Sequence, residues 1–183
     1  MGTWIAFGVI ALLVVFAIMT YNSLVSRRVA CQAAWSQIDV QRKRRYDLVP
    51  NLVETVKGYA AHERQTLEAV IAARNTAADA KGIQERAEAE NMLTGALRQL
   101  FALSEAYPDL KANQNFMQLQ EELTSTENRI AFSRQHYNST CAEYNATTER
   151  FPSNVLANMF GFKKQEYFQI EDPEHRQGPQ VKF

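Results

Sequence analysis

From Met1 to Ser26 the chain carries no Asp, Glu, Lys or Arg, and Arg27-Arg28 follows at once. Within that stretch Trp4–Met19 reads WIAFGVIALLVVFAIM. A helix rises ~1.5 Å per residue, so about 17–25 apolar residues cross a bilayer core of roughly 30 Å. Residues 1–26 are therefore expected to be a transmembrane anchor, and the lipid bilayer is the first expected partner. A cleaved signal would have a basic n-region, a shorter apolar core and a small-residue cleavage site. Nothing basic precedes Trp4 except the terminal amine, and Thr20-Tyr21-Asn22-Ser23-Leu24 makes a poor cleavage site, so an uncleaved anchor is favoured. Trp4 and Tyr21 stand near its two ends, where amphipathic rings favour the headgroup zone. Arg27 and Arg28 hug its carboxyl side, which predicts a single-pass protein of the cell (inner) membrane with its amino end outside and its body cytoplasmic. The two cysteines, Cys31 and Cys141, have no motif spacing and suit a reducing compartment.

The remainder reads as all-α. Gly and Pro are scarce, and between Gly95 and Gly161 only Pro108 and Pro152 interrupt sequence rich in Ala, Glu, Gln, Leu and Arg. Phe116, Leu123, Ile130, Tyr137 and Tyr144 recur every seven residues, and Asn113, Gln120, Glu127, Arg134 and Cys141 fill the alternate steps. That heptad predicts a helix over 110–149, roughly 60 Å long. The same spacing joins Leu24, Arg28, Cys31, Trp35, Ile38, Arg42, Arg45, Val49, Leu52, Val56 and Tyr59. Its phase survives Pro50, which favours one long helix kinked near 46–50; the alternative is a break with Asp47 capping a new helix. Gly82 is expected to close the intervening helix, Leu93, Ala96, Leu97, Leu100 and Leu103 to stripe the next, and Tyr107-Pro108-Asp109 to turn into the last long one. Short connections imply an antiparallel up-and-down bundle over 27–150.

Chemical motifs are lacking. His62, His136 and His175 belong to no ligand pattern, and there is no phosphate loop, nucleophile elbow or Cys-x-x-Cys. No catalytic, cofactor or metal site is predicted, and the chain is expected not to be an enzyme. With 20 basic and 20 acidic residues, nucleic acid is not an expected partner. The Arg42-Lys43-Arg44-Arg45 cluster reads as a solvated face plus internal pairing. Charges on a packed seam cost several kcal/mol unless paired. Arg42, Arg45, Asp47 and Asn51 are thus expected to meet Glu127 and Arg134 in a buried polar network that fixes helix register.

Residues 151–170 form an aromatic segment with a short helix over Ser153–Phe160 capped by Gly161, its rings covering the end of the bundle, or alternatively touching the membrane. Residues 171–183 turn polar and read as a disordered tail. Its last residues, Val181, Lys182 and Phe183, have the form of a peptide that adds a strand to a receptor edge.

These residues also carry a resemblance. Ala34-Trp35-Ser36-Gln37-Ile38-Asp39-Val40-Gln41, Arg44 through Val53, Lys57-Gly58-Tyr59, His62-Glu63 and Ala73-Arg74 resemble the LemA family. So do Tyr107 through Asn113, Asn115-Phe116, Glu122-Leu123, Glu127, Ile130, Arg134, Tyr137-Asn138, Tyr144-Asn145, Phe151-Pro152 and Tyr167-Phe168. Arg28-Val29 departs from the Arg-Asn the family pattern has there. The resemblance implies a four-helix bundle on the cytoplasmic side of a single-pass anchor with no attributed catalysis, and it favours a break in the first long helix or a fourth helix from elsewhere. It also implies a context: a similar protein is linked with magnetosome membranes, and members are often encoded beside a heat-shock-type membrane metallopeptidase. A membrane-anchored, homo-oligomeric scaffold engaging a membrane-bound protein partner is the function expected. The alternative is a membrane-tethered sensor or regulator, for example of such a peptidase.

Overall fold

The computed structural model describes residues 1–168, which are helical throughout their regular structure. The elements are α1 (Gly2–Lys57), α2 (Arg64–Asp79), α3 (Ile83–Ser104), α4 (Pro108–Lys111), α5 (Gln114–Glu149) and α6 (Ser153–Met159). The tail expected over 171–183, with Val181, Lys182 and Phe183, lies outside the described residues.

Helix α1 runs 56 residues without a break. Its first part holds the one helical segment among the described residues that is long and apolar enough to cross a membrane, with a mean hydropathy of 2.5 and no residue of that window buried in protein. The second part is the spine of the folded body. There α1 lies antiparallel to α5, with Arg27 against Glu143, Trp35 against Tyr137, Arg45 near Glu127, and Tyr59 bonded to Asn113. The heptad positions Phe116, Leu123, Ile130, Tyr137 and Tyr144 are all buried, as are Leu24, Cys31, Ile38, Val49, Leu52 and Val56 of α1. Each fully buried aliphatic or aromatic side chain stabilises the fold by about 1.5–3 kcal/mol over the exposed state. Helices α2 and α3 pack on each other and on the half of α1 beyond residue 38.

Pro50 sits inside α1, where the chain neither breaks nor needs an Asp47 cap. Proline has no N–H for the carbonyl four residues back. That carbonyl belongs to Tyr46, and Arg74 of α2 donates its Nε–H to it at 3.3 Å. A side chain from a neighbouring helix thus supplies the bond that the sequence of α1 withholds. The single helix that the phase favours is what forms, and the break that the resemblance favours does not occur; a tertiary contact supplies the bond locally missing.

Two boundaries differ from expectation. Gly82 does not close α2, which ends at Asp79; it is the N-cap of α3, with φ +80°, where a Cβ would be strained. The last long helix starts at Gln114 rather than 110. Pro108–Lys111 makes its own turn, and the Asn113 side chain accepts from Phe116 N at 3.0 Å, which caps α5. Helix α6 closes with a Schellman pattern: Phe162 N donates to Ala157 O at 2.9 Å and Gly161 N to Asn158 O at 3.3 Å, with Gly161 at φ +69°.

Arg74→Met keeps the aliphatic stem and removes the donor, so it is expected to destabilise the fold by about 1 kcal/mol. In a Pro50→Ala background, where the restored N–H bonds Tyr46 O, the same substitution should cost clearly less. Denaturant titration of the four proteins in detergent measures the coupling; equal losses in both backgrounds would contradict it.

Candidate functional site

The densest chemistry lies where α1, α2 and α3 meet. On α1, Arg42 and Arg45 follow Ile38 in the three-four spacing, so their side chains enter the same seam as the apolar residues. On α3, Glu90 stands in phase with Leu93, Leu97, Leu100 and Ser104, all buried. Glu90 is 1% exposed. Its Oε1 accepts from Arg42 Nε at 2.9 Å and its Oε2 from Arg45 Nη1 at 3.0 Å. The Tyr46 hydroxyl also bonds Oε1.

The outer donors of the two guanidiniums find further acceptors. Arg42 Nη2 donates to Ala77 O at 2.8 Å, near the carboxyl end of α2, and Arg45 Nη2 donates to Thr94 Oγ1 at 2.9 Å. Asp39 at 3.3 Å and Glu127 at 3.8 Å add acid charge at the rim. Burial opposes the charge on Arg42, but Glu90 and Tyr46 outweigh it and raise its pKa. Burial, and then the neighbouring Glu90 carboxylate, push the Tyr46 phenol well above its usual range.

This layer separates two apolar clusters. One spans Tyr46–Val56 of α1 with α2, α3 and the first part of α5; the other joins Leu24–Ile38 of α1 to Tyr137, Cys141 and Tyr144 of α5. Both Glu90 oxygens are engaged, Oε1 by two donors and Oε2 by one, and the side chain is closed to solvent. Among the described residues no cluster of three or more His, Cys, Asp or Glu could hold a metal ion.

Of the residues expected in the polar network, Arg42 and Arg45 enter this layer, but the acid that meets them is Glu90. The Glu127 side chain is 48% exposed and receives Thr94 Oγ1 at 3.3 Å. Asp47 and Asn51 lie exposed on the far side of α1, a correction to their expected place: they sit out of phase with the seam. Arg134 is half-buried with its guanidinium 5.1 Å over the Phe168 ring, and burial lowers its pKa. Trp4 and Tyr21 are exposed, Arg27 pairs with Glu143 at 3.0 Å, and Arg28 lies 5.0 Å over the Phe162 ring. Cys31 and Cys141 are buried thiols, and burial followed by the nearby Cys141 pushes Cys31 up to about 12.

A second constellation was not foreseen. Residues 163–168 run extended beside α5, held by two Tyr-Asn pairs one heptad apart. The Tyr144 hydroxyl donates to Lys163 O, and Asn145 both donates to Gln165 O and accepts from Gln165 N, each at 2.9 Å. The Tyr137 hydroxyl donates to Glu166 O at 2.9 Å, while Asn138 donates to Phe168 O at 2.9 Å and accepts from Phe168 N at 2.8 Å. Seven helical residues advance about 10.5 Å and three extended ones about 10 Å, so the two repeats stay in step. Phe168 then stacks on Trp35, with centroids 5.4 Å apart.

The sequence model described as LemA family matches residues 34–183. Magnetosome protein MamQ 2 of Paramagnetospirillum magneticum is 29% identical over 178 residues, covering 83% of this chain and 65% of that protein. Magnetosome protein MamQ of Magnetospirillum gryphiswaldense is 27% identical over 177 residues, 82% of this chain and 65% of its own length. Protein LemA of Metamycoplasma hominis is 27% identical over 157 residues, with 84% and 70% covered. The chain thus spans just under two thirds of the MamQ proteins it matches.

Glu90→Ala leaves two guanidiniums buried without their acid and is expected to cost about 3–5 kcal/mol. Glu127→Ala, at a half-exposed position, is expected to cost about 1 kcal/mol or less. Urea titration of both variants measures the difference, and a reversed order would remove Glu90 from the centre of the layer.

Proposed function

The chain belongs to the LemA family, and from that premise we propose a membrane-tethered, non-enzymatic helical scaffold that acts as a homo-oligomer and engages a membrane-bound protein partner. Residues 1–26 are its single-pass anchor in the cell membrane, with the amino end outside and the body cytoplasmic. Beneath the anchor, α1, α2, α3 and α5 make an up-and-down four-helix bundle.

The observation that carries this reading is the continuity of α1, which joins the bilayer-length apolar segment to the packed body in a single rigid element. A flexible linker would let the body tumble; an unbroken helix fixes its distance and orientation from the lipid. The charge layer supports a structural role, since Glu90, Arg42, Arg45 and Tyr46 bond chiefly to one another and to neighbouring helices. Names that refer to a cell structure rather than to a reaction, as the MamQ relatives have, favour the same side. Exposed apolar side chains on α1 and α5, among them Val40 (64% exposed) and Phe132 (70%), offer contact surface to further copies. Val181, Lys182 and Phe183 remain a proposed partner-binding tail.

The regulator reading draws on the same rigid continuity, which would pass a change at the anchor into the body. Chemical cross-linking in intact membranes separates the two. A scaffold gives defined higher-order species of this chain, and only monomer after efficient modification would overturn the oligomeric scaffold.

A further inference from the structure

Helix α6 presents an apolar face that none of the described residues covers. It buries Ala157, and Phe162 beyond it, but leaves Phe151 77%, Val155 58%, Met159 67% and Phe160 54% exposed. Val155 and Met159 lie one helical turn apart and so share a face. On a helix meeting water that face would be polar.

Its position along the molecule is fixed by α1. Arg27 lies against Glu143, so the end of α5 six residues on, at Glu149, stands level with about residue 21 of the antiparallel partner. Aromatic contacts agree. The Tyr21 ring meets Phe160 at 4.9 Å and Phe162 at 5.7 Å between centroids, both edge-on. Tyr21 stands two residues beyond the apolar run that ends at Met19. Cations surround the same level. Arg28 lies over the Phe162 ring, Arg150 and Lys163 are exposed on either side of α6, and Arg27 and Lys164 pair with Glu143 and Glu149.

We infer that α6, with Phe151 and Phe160, lies in the boundary between headgroups and acyl chains of the bilayer and forms a second, interfacial contact beside the anchor. The occupant of the exposed face is lipid, because that face is continuous through Tyr21 with the wholly exposed apolar surface of α1. A short amphipathic helix at such a boundary buries its apolar side about 5–10 Å deep, with cations near the phosphates. Two contacts on one side of α1 would fix the rotation of the body about the anchor axis, which a lone spanning helix leaves free.

The inference rests on the anchor reading, and the test separates the two. The full chain is reconstituted in vesicles of phosphatidylcholine and phosphatidylglycerol, with or without lipids brominated near the top of their acyl chains. Trp4→Phe leaves Trp35 as the reference indole, and Val155→Trp is added in that background at an already exposed site. The emission contributed by the new indole is expected to be largely lost in brominated lipid, while Trp35 keeps its own. Loss of it to aqueous acrylamide but not to bromolipid overturns the inference, as does protection from both, which would mean that protein covers the face. Wild-type Trp4 reports the anchor separately: quenching there but not at position 155 sinks the α6 contact and leaves the anchor standing, and quenching at neither sinks both.

Discussion

Helix α1 carries two kinds of surface on one unbroken backbone, and the rest of the structure follows from that constraint. Its first part shows exposed apolar side chains on every face, over a segment long and apolar enough to cross a membrane. Its second part narrows to a single apolar line, Leu24 through Val56, that α5 covers from the opposite direction. An interruption would uncouple these halves. Pro50 is the one residue in the folded half of α1 whose chemistry invites it, and Arg74 answers by bonding the carbonyl that proline leaves open. The continuity of the spine is therefore a tertiary property, made by α2 as much as by α1.

The buried charge layer does what an apolar seam cannot. Leucines on facing helices pack almost equally well after a shift of one turn, because apolar attraction has no direction. A carboxylate shared between two guanidiniums has one register in which all its bonds are made, and a slip would leave several buried charges unpaired. Glu90 sits between the two apolar clusters and ties α3 to α1, while Ala77 O brings the end of α2 into the same set of bonds. The Tyr-Asn pairs of α5 act comparably on the chain after α6. They bond only its main chain, so they fix its path more than its sequence.

Much of this architecture was legible because helical phase is a local property. The heptad of α5 and the three-four line of α1 named most of the buried positions, including the two arginines turned inward, but not Tyr46, Thr126 or Asn145. The partner acid was not read, although Glu90 lies in phase with Leu93, Leu97 and Leu100. A seam of charges on α5 drew the pairing to Glu127, and phase alone does not say which of two helices stands nearer. Asp47 and Asn51 were included for their chemistry against their phase, and phase decided. The clamp over 163–168 and the repair at Pro50 join residues 19 to 30 positions apart through side chain and main chain. The repair leaves no periodic trace, and the clamp leaves only the Tyr-Asn repeat at 137-138 and 144-145, which does not name the main chain it bonds. Gly82 was misread because a left-handed glycine suits the end of one helix and the start of the next alike.

The central claim is that α1 stays one helix through Pro50. Spin labels on Val29→Cys and Lys57→Cys, at exposed sites in a Cys31→Ala, Cys141→Ala background, measure this directly by pulsed electron resonance in vesicles. An unbroken helix places the two positions about 40 Å apart, with a narrow distribution. A broad distribution, or a centre below about 30 Å, would show that the helix breaks between them.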